Sequence, residues 1–154
     1  MTDVKPIPDG YPRVCAYLHI GGAAAAIDFY KNVFGATERF RMGGPDGKIG
    51  HAELQIGDSV VMLADEYPEM GIVGPKTVGG TPVSLSVYVE DVDATLATAA
   101  EAGAKITRSA EDRFYGDRTA SFEDPFGHSW SVQTHIEDVP PEEMQRRAAQ
   151  EGGG

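Results

Sequence analysis

The chain has a single cysteine, Cys15, among its 154 residues. One cysteine excludes an intramolecular disulfide and a cysteine-rich zinc site. Long apolar runs are missing too, since none approaches the roughly 18 residues that a membrane-spanning helix needs. The opening MTDVKPIPDGYPR lacks the basic stretch and the apolar stretch of a secretion signal. Together these absences predict a cytoplasmic protein that has no membrane partner.

Basic residues are also scarce. Thirteen Lys and Arg stand against 24 Asp and Glu, which gives a formal net charge of −11 at pH 7. A surface of this sign repels phosphate groups, so the sequence predicts no nucleic acid partner. A content of 41% hydrophobic and 24% charged residues is typical of a globular domain.

The first half of the chain predicts the order strand, helix, strand, strand, strand. VCAYLHI (14–20) alternates with the period of two that a half-buried strand shows. A helix follows, with an apolar stripe at helical spacing formed by Ala23, Ile27, Tyr30 and Phe34. Gly35 can end this helix in a left-handed conformation. TERFRM, IGHAELQI and SVVMLAD are the remaining strands, with turns at GGPDGK and at Gly57-Asp58.

The same order recurs after a segment rich in Gly and Pro, residues 67–82. VSLSVYV predicts a strand, and EDVDATLATAAEAGA predicts a helix that an Asp near its start caps and that Gly103 ends. The apolar stripe of this helix consists of Val92, Leu96 and Ala99. KITR, TASFE and HSWSVQTH are further strands, and the last two form a hairpin around DPFG in which Gly127 takes a positive φ.

The two halves match at an offset of 68 to 70 residues, so that Ile20 falls on Val89 and Gly57 on Gly127. Such an internal repeat predicts a pseudo-symmetric α+β protein built from two βαβββ modules. The expected boundaries are a first module at 12–66, a linker at 67–82, a second module at 83–136 and a tail at 137–154. The tail predicts either a short helix that starts at a proline and then frays, or a docked helix.

Alternation along the strands separates an apolar face from a polar one. The apolar residues can lie beneath the helices, whereas the polar face carries few of the Lys and Arg typical of a solvent-facing sheet. Its candidate ligand-binding residues are Cys15, Tyr17, His19, Gln55, Ser84, Ser86, Tyr88, Ser131 and Gln133. We expect this face to hold a small polar or aromatic ligand. A wet, one-sided sheet with nothing bound is the alternative.

His51 and Glu53 lie two residues apart on one strand, so their side chains point the same way. They are candidate catalytic residues, as an acid/base pair in which the carboxylate fixes the imidazole tautomer. Hydrogen bonds to a ligand or to each other are the alternative. A metal site that also includes His19 and His135 is a further alternative.

Two motifs stand out in RFYGDRTASFEDPFGHSWS (113–131). DPFGH predicts a hairpin turn. FYGDR precedes the last hairpin of the second module, where Tyr115 and Arg118 are candidate ligand contacts. Arg118 would grip an anion or stack on an aromatic group. The alternative is an Asp117–Arg118 pair that pins the loop.

The doubled module order, the AAIDFYKNVFGA helix, the YVEDVDA helix start and the DPFGH turn resemble the vicinal oxygen chelate superfamily. This superfamily includes glyoxalases, bleomycin-resistance proteins, fosfomycin-resistance enzymes and extradiol dioxygenases. FYGDR and THIEDV are similar to its PhnB-like branch, and the resemblance covers residues 12–139. It implies the glyoxalase/bleomycin-resistance fold, in which curved mixed sheets form a cup with helices on the outer face. It also implies a homodimer whose modules pair within one chain or across the dimer.

The resemblance further implies four metal positions, which in this chain are Cys15, Val61, Ser84 and Ser131. A thiol, two hydroxyls and a valine do not supply the imidazoles and carboxylates of a catalytic zinc or nickel site. We therefore expect no cofactor at the usual site, and a glyoxalase/bleomycin-resistance-like protein that binds a small molecule in a polar cup. The alternative is a metal-dependent lyase or isomerase that holds a divalent ion in an unconventional His/Glu site. Whether the ligand is turned over stays open.

Overall fold

Two four-stranded mixed sheets, one in each half of the chain, form the framework of the structure. The computed structural model describes residues 3–152. The chain divides into two compact units, one that extends to Gly80 and one that begins at Thr81. Each unit has the order strand, helix, strand, strand, strand, which confirms the α+β class with two βαβββ modules. Within residues 3–152, no helix is long and apolar enough to cross a membrane.

The first unit is built around α1, which packs against its own sheet. Its main elements are β1 (Ala16–Ile20), α1 (Ala23–Phe34), β2 (Thr37–Gly43), β3 (Ile49–Ile56) and β4 (Ser59–Asp65). The strand order is β1-β4-β3-β2, and only the β1–β4 pair is parallel. Leu18, Leu63 and Ala52 are paired across three adjacent strands and are buried. Each such Leu contributes about 1.5–3 kcal/mol through burial.

The start of α1 is held by a residue that lies far away in the sequence. Gly22 occupies the N-cap position and has no side chain that can cap the helix. Instead, one oxygen of the buried Asp65 carboxylate accepts the N–H groups of Gly22 and Ala23, at 3.1 and 2.9 Å. The other oxygen accepts the N–H of Ile49 at 2.7 Å. Asp65 therefore joins the end of β4 to the start of α1 and the start of β3. At the other end of α1, Gly35 adopts a left-handed conformation, as the sequence predicts.

The segment between the modules contains more regular structure than its Gly and Pro content indicates. Residues Pro68–Met70 form a 3₁₀ turn, and Pro75–Val78 form the short helix α2. In both cases a proline stands at the first helical position, where its fixed φ favours helical backbone. A glycine in a left-handed conformation ends each one.

The second unit repeats the topology of the first, with strand order β5-β8-β7-β6 and a parallel β5–β8 pair. Its elements are β5 (Ser84–Tyr88), α3 (Val92–Glu101), β6 (Lys105–Asp112), β7 (Asp117–Glu123), β8 (Ser129–His135) and α4 (Pro141–Gly152). β6 runs four residues beyond the predicted KITR strand, because pairing with β7 resumes at Glu111 after an irregularity in register. Asp91 caps α3 by accepting the N–H of Ala94 at 3.1 Å, as expected for an Asp at the helix start.

The DPFG segment forms the predicted turn between β7 and β8. The buried Asp124 accepts the backbone N–H groups of Phe126 and His128, at 2.9 and 3.0 Å. It also accepts the indole N–H of Trp130 at 2.9 Å. Gly127 has a φ of 95°, which a residue with a side chain rarely adopts. This one carboxylate therefore shapes the turn and orients the largest side chain of the core.

The tail forms the helix α4, for which the sequence left two alternatives. α4 has no fully buried residue among those described, although Met144 and Ala148 are half-buried. Polar contacts attach it: Arg147 donates to the carbonyl oxygen of Phe114 at 3.1 Å and pairs with Glu137 at 2.8 Å. The helix is therefore tethered to the loop that carries FYGDR. Of the frayed end that the sequence predicts, residues 153–154 lie outside the described residues.

FYGDR and THIEDV, the two motifs of the PhnB-like resemblance, contact each other. The carbonyl oxygen of Gly116 accepts the N–H groups of Ile136 and Glu137, at 2.9 and 3.1 Å. Gly116 has a φ of 101°, and a Cβ at this position would lie 2.1 Å from the carbonyl oxygen of Glu137. Only glycine fits here, and the contact fixes the segment that leads to α4.

Replacing Asp65 is expected to destabilise the first unit. Asp65→Ala removes the cap of α1 and leaves the N–H of Ile49 buried without an acceptor, so the free energy of unfolding should fall by about 2–4 kcal/mol. Denaturant unfolding measures the loss. Asp58→Ala, in the exposed turn after β3, is the matched control and should change stability by less than about 0.5 kcal/mol. Equal effects of the two substitutions would show that Asp65 does not organise the unit.

Gly116→Ala is expected to cost about 2–5 kcal/mol of unfolding free energy, because left-handed backbone costs about 1–2 kcal/mol and overpacking about 1–3 kcal/mol. Gly57→Ala is the control, since Gly57 has a φ of 58° but a Cβ added there would meet no atom within 4 Å. Gly57→Ala should lose only the ~1–2 kcal/mol that left-handed backbone costs. Thermal or denaturant unfolding compares the two. A Gly116→Ala protein no less stable than Gly57→Ala would contradict the close contact with Glu137.

Candidate functional site

Tyr17, His51 and Glu53 form a continuous hydrogen-bonded chain on the polar face of the first sheet. The Tyr17 hydroxyl lies 2.8 Å from Nδ1 of His51, and Nε2 of His51 lies 2.9 Å from Oε2 of Glu53. Tyr17 is paired with Met62 on β4, and Met62 is paired with Glu53 on β3. The tyrosine side chain therefore crosses β4 to reach the histidine. The sequence placed these three residues on one face, and the structure brings them into contact.

Tyr11 extends this chain at its buried end. Its hydroxyl donates to Oε1 of Glu53 at 2.6 Å, although the two residues are 42 positions apart. Arg39 holds Tyr11 in place, because its guanidinium lies 4.4 Å from the Tyr11 ring centroid and donates to the carbonyl oxygen of Gly10 at 2.9 Å. Tyr11 was not among the predicted site residues, because it lies outside any strand and carries no periodic signal. We call Tyr17, His51, Glu53 and Tyr11 the hydrogen-bonded chain.

Burial increases along the hydrogen-bonded chain from Tyr17 to Glu53. Tyr17 is 43% exposed, whereas Glu53 is only 4% exposed. Burial alone raises the pKa of Glu53, but the hydrogen bonds from Tyr11 and His51 outweigh it and lower the pKa below its ordinary value. Burial raises the pKa of Tyr17, and the nearby Glu53 carboxylate raises it further. The arrangement therefore holds an ionised carboxylate at one end and a protonated phenol at the other.

The ionised carboxylate sets the direction of the hydrogen bonds. A carboxylate only accepts, so Tyr11 O–H and His51 Nε2–H both donate to Glu53. A neutral His51 with its proton on Nε2 then offers Nδ1 as an acceptor, and the Tyr17 hydroxyl donates to it. This is the geometry of an imidazole whose tautomer is fixed by a carboxylate, as the acid/base interpretation of His51 and Glu53 requires.

A cavity of about 480 Å³ lies beside the exposed end of the chain, within the first unit. Small-molecule sites commonly have volumes of about 300–1,000 Å³. The cavity is lined by Tyr17, His19, Asp46, Lys48, Gly50, Ala64, Asp65, Tyr67, Glu69, Met70 and Ile72. Two residues of the predicted ligand-binding set, Tyr17 and His19, are therefore on its wall. The others come from the β2–β3 turn, the start of β3, the end of β4 and the segment after β4, which sequence alternation does not connect.

Tyr67 forms part of the cavity wall. The ammonium of Lys48 lies 5.1 Å from its ring centroid. Its hydroxyl is buried and lacks a hydrogen-bond partner among residues 3–152. A Cβ on Gly44 would lie 2.6 Å from this hydroxyl, so the glycine allows the ring to pack against the β2–β3 turn.

Cys15 and Gln55 lie away from the cavity. Cys15 precedes β1, with Sγ 3.7 Å from the carbonyl oxygen of Pro12. The side chain of Gln55 donates to the carbonyl oxygen of Gly57 at 2.9 Å. Both were predicted to bind ligand, and the structure does not bring them together with Tyr17 and His19.

The second sheet also has a polar face. Register pairs Ser84, Ser86 and Tyr88 of β5 with β8, so that Ser86 lies beside Ser131 and Tyr88 beside Gln133. A smaller network stands at one end of this face. Tyr88 O–H donates to the buried Asp117 at 3.1 Å, and His135 bonds Asp117 and Asp138 at 2.8 and 2.7 Å. Hydrogen bonds to Asp117 and then to Asp138 raise the pKa of His135. The contact of Asp117 with His135 was not predicted from the sequence, where Asp117 was considered only as a partner of Arg118, because only the β7–β8 register places the two residues side by side.

Arg118, one of the two candidate ligand contacts from FYGDR, lies on the opposite face of this sheet from the network of Asp117 and His135. It alternates with Asp117 along β7, so its side chain points toward α3. Its guanidinium donates to Asp93 of α3 at 2.8 and 3.0 Å and to Asp112 of β6 at 2.9 Å. These carboxylates raise the pKa of Arg118. Arg118 therefore pins α3 to the sheet, through partners other than the expected Asp117.

Tyr115, the other candidate from FYGDR, lies in the turn between β6 and β7. It is 37% exposed. Its ring packs edge-on against Phe114, with centroids 5.2 Å apart. The structure does not join it to the network of Asp117 and His135 by a hydrogen bond among the described residues.

Strand register also corrects one of the four family metal positions. Val61 pairs with Ala16 and Leu54, so it shares their face and points away from Tyr17. Met62 pairs with Tyr17 as Ser131 pairs with Ser86, so the position equivalent to Ser131 is Met62. A thioether, a thiol and two hydroxyls still do not fit a catalytic divalent ion.

Nor do other residues offer a donor set. Across residues 3–152, no group of three or more His, Cys, Asp or Glu is arranged to hold a metal ion. Both ring nitrogens of His51 and of His135 already form hydrogen bonds within their own units.

Comparison with known proteins agrees with this architecture. Residues 16–132 match the family model of the Glyoxalase/Bleomycin resistance protein/Dioxygenase superfamily. An uncharacterized protein of Mycobacterium bovis is 41% identical over 146 residues, which cover 93% of this chain and 96% of the relative. An uncharacterized protein of Mycobacterium tuberculosis shows the same identity over 93% of this chain and 86% of its own length.

Solved structures share the fold. TioX from Micromonospora sp. ML1 is 26% identical, with a TM-score of 0.61 over 84% of this chain and 100% of TioX. A PhnB protein from Bacillus cereus is 18% identical, with a TM-score of 0.64 over 80% of this chain and 99% of that protein. FosX, a fosfomycin resistance protein from Listeria monocytogenes, is 15% identical, with a TM-score of 0.61 over 86% and 97%. With its two βαβββ units and a match over residues 16–132, the chain belongs to the glyoxalase/bleomycin resistance/dioxygenase superfamily.

Proposed function

We propose that the protein binds a small molecule in the cavity of its first unit, without the divalent ion that metal-dependent members of the superfamily use. The observation that carries this proposal is the cavity of about 480 Å³ whose wall includes Tyr17 and His19. It combines a concave volume of suitable size with polar groups and aromatic rings on its wall, which is the usual form of a ligand site. The donor set at the family's metal positions supports the metal-independent part of the proposal.

The lining favours a flat, partly aromatic ligand. The rings of Tyr17 and Tyr67 and the apolar side chains of Met70 and Ile72 provide stacking and apolar surface. Asp46, Asp65 and Glu69 are the acidic lining residues, and Lys48 is the basic one. This balance favours molecules that enter the cavity in a neutral or cationic form.

Blocking the cavity is expected to abolish ligand binding. A screen of neutral aromatic compounds in the presence of EDTA should yield hits that raise the melting temperature of the protein. At 100 times Kd, a ligand stabilises by about 2.7 kcal/mol, or roughly 5–10 °C for a protein of this size. Gly50→Phe should remove the shift, because Gly50 lines the cavity and a Cβ there meets no atom closer than 3.8 Å.

Gly43→Phe is the matched control. Gly43 lies at the end of β2, where a Cβ meets no atom within 4 Å. This variant should respond to the same hits as the unaltered protein. Hits that stabilise Gly50→Phe as much as the unaltered protein would show that the ligand binds outside this cavity. Hits that require added nickel, zinc, manganese or iron would favour the metal-dependent alternative, and elemental analysis would then show about one ion per chain.

Membership of the superfamily also supports a homodimer, which we propose as the assembly state. Light scattering coupled to size-exclusion chromatography should give twice the chain mass of 16.4 kDa. A mass equal to that of one chain at micromolar concentration would remove this part of the proposal.

A further inference from the structure

The geometry points to a proton relay that begins at the cavity, passes through Tyr17 and ends at His51, which Glu53 orients. We infer that the substrate is a small molecule with a weakly acidic hydrogen, which it gives up to the Tyr17 oxygen. This inference rests on the proposed function, because the substrate must occupy the cavity of the first unit. Tyr17 is then the catalytic residue, and Glu53 is a positioning residue that acts through His51.

The direction of the hydrogen bonds determines what Tyr17 offers to a ligand. A phenol has one hydrogen to donate, and with His51 in its neutral Nε2–H tautomer that hydrogen goes to Nδ1, 2.8 Å away. Its oxygen therefore presents lone pairs to a molecule in the cavity. A ligand that complements this site must donate a hydrogen, as an O–H, an N–H or an acidic C–H group does. An ether or an ester without such a hydrogen leaves the oxygen unmatched.

Tyr17 does not act as a base by losing its own proton first. Burial and the Glu53 carboxylate both raise its pKa, so tyrosinate is disfavoured. His51 does not reach the ligand directly either, since Tyr17 and not His51 is on the cavity wall and both histidine nitrogens are engaged. The two residues are therefore complementary: Tyr17 touches the ligand, and His51 has the basic nitrogen.

The transfer conserves protons and charge. The substrate proton passes to the Tyr17 oxygen while the Tyr17 proton passes to Nδ1 of His51. The products are a substrate anion, a neutral Tyr17 and an imidazolium that stays paired with Glu53 at 2.9 Å. The carboxylate is buried and ionised, so it stabilises the imidazolium without rearrangement. Return of the proton to a different substrate atom completes an isomerisation, and no oxidant or reductant is needed.

The competing explanation is structural, because the same chain also ties Tyr11 to the sheet through Glu53. A structural role requires the hydrogen bonds but not a change in the protonation of His51. A substitution that keeps the bonds and removes the basic nitrogen therefore separates the two explanations. Glutamine at position 51 has an amide that can accept from Tyr17 and donate to Glu53, and it cannot take up a proton.

The test uses 4-nitrophenol, whose phenolate absorbs visible light, and its methyl ether 4-nitroanisole, which has no acidic hydrogen. With the unaltered full-length protein, 4-nitrophenol should bind about 10-fold more tightly than the ether, as one hydrogen bond allows. Bound 4-nitrophenol should show the absorption band of the phenolate at pH values below the pKa of the free compound. The ¹⁵N NMR signals of His51 should move to imidazolium positions at the same time.

Three variants distinguish the proton relay from a purely structural role of these hydrogen bonds. Tyr17→Phe should bind phenol and ether with equal affinity. His51→Gln should bind 4-nitrophenol within about 3-fold of the unaltered protein, since the hydrogen bonds remain, but without the phenolate band. His128→Gln, in the β7–β8 turn of the second unit, carries the same substitution and should leave band and affinity unchanged.

The possible failures are distinguishable. If neither compound binds the unaltered protein more tightly than Gly50→Phe, the cavity is not the binding site and the proposed function falls. If both compounds bind in the cavity with equal affinity and no phenolate band forms, the cavity stands and the relay is wrong. A phenolate band that persists in His51→Gln also overturns the relay, because another group is then the base.

Discussion

The Asp65 carboxylate accepts three backbone N–H groups from two places that are far apart in the sequence. A charge buried to this degree is stable only when it is satisfied by donors, and here the donors are the free N-terminus of α1 and the first residue of β3. The start of α1 is therefore fixed beside Asp65, the last residue of β4. The same contact sets the position of the β3 start, and with it the strand that carries His51 and Glu53. The hydrogen-bonded chain and one wall of the cavity depend on this constraint.

Many strand bounds and helix ends could be predicted from the sequence, because they depend on residues that are close together in the chain. The bounds of β3 and β4 agree with IGHAELQI and SVVMLAD, because His51–Ile56 alternates with a period of two and Gly57-Asp58 supplies the turn between the two strands. Gly35 and Asp91 end and begin helices for reasons that act over one turn. Alternation also placed Tyr17 on the face of His51. The contacts of Asp65, Tyr11 and Asp117 escaped prediction because the partners lie 16 to 43 residues away, where only strand register or the path of a loop decides proximity.

Register reveals how the two units differ despite their common topology. Tyr17 corresponds to Ser86, since each lies opposite the matching position of its parallel partner strand, Met62 or Ser131. By the same comparison of pairings, Glu53 corresponds to Ser121, because Met62 and Ser131 are their respective partners. The repeat therefore preserves the apolar side of each sheet, while at these equivalent positions the polar side changes from large, mutually bonded groups to small hydroxyls. One scaffold supports two surfaces of different chemistry, which explains why the fold alone does not identify a reaction.

Through Tyr11, the segment before β1 contributes a hydrogen bond to Glu53 on the first sheet. Its hydroxyl is one of the two groups that keep the Glu53 carboxylate ionised, and the Arg39 guanidinium holds its ring in place. Cleavage of the chain just after Tyr11, or a bulky fusion that pulls this segment from the sheet, would leave every strand intact and still alter the electrostatics of the hydrogen-bonded chain. Proteolytic processing near the N-terminus is thus a change to which this site is sensitive at a distance from its own strands.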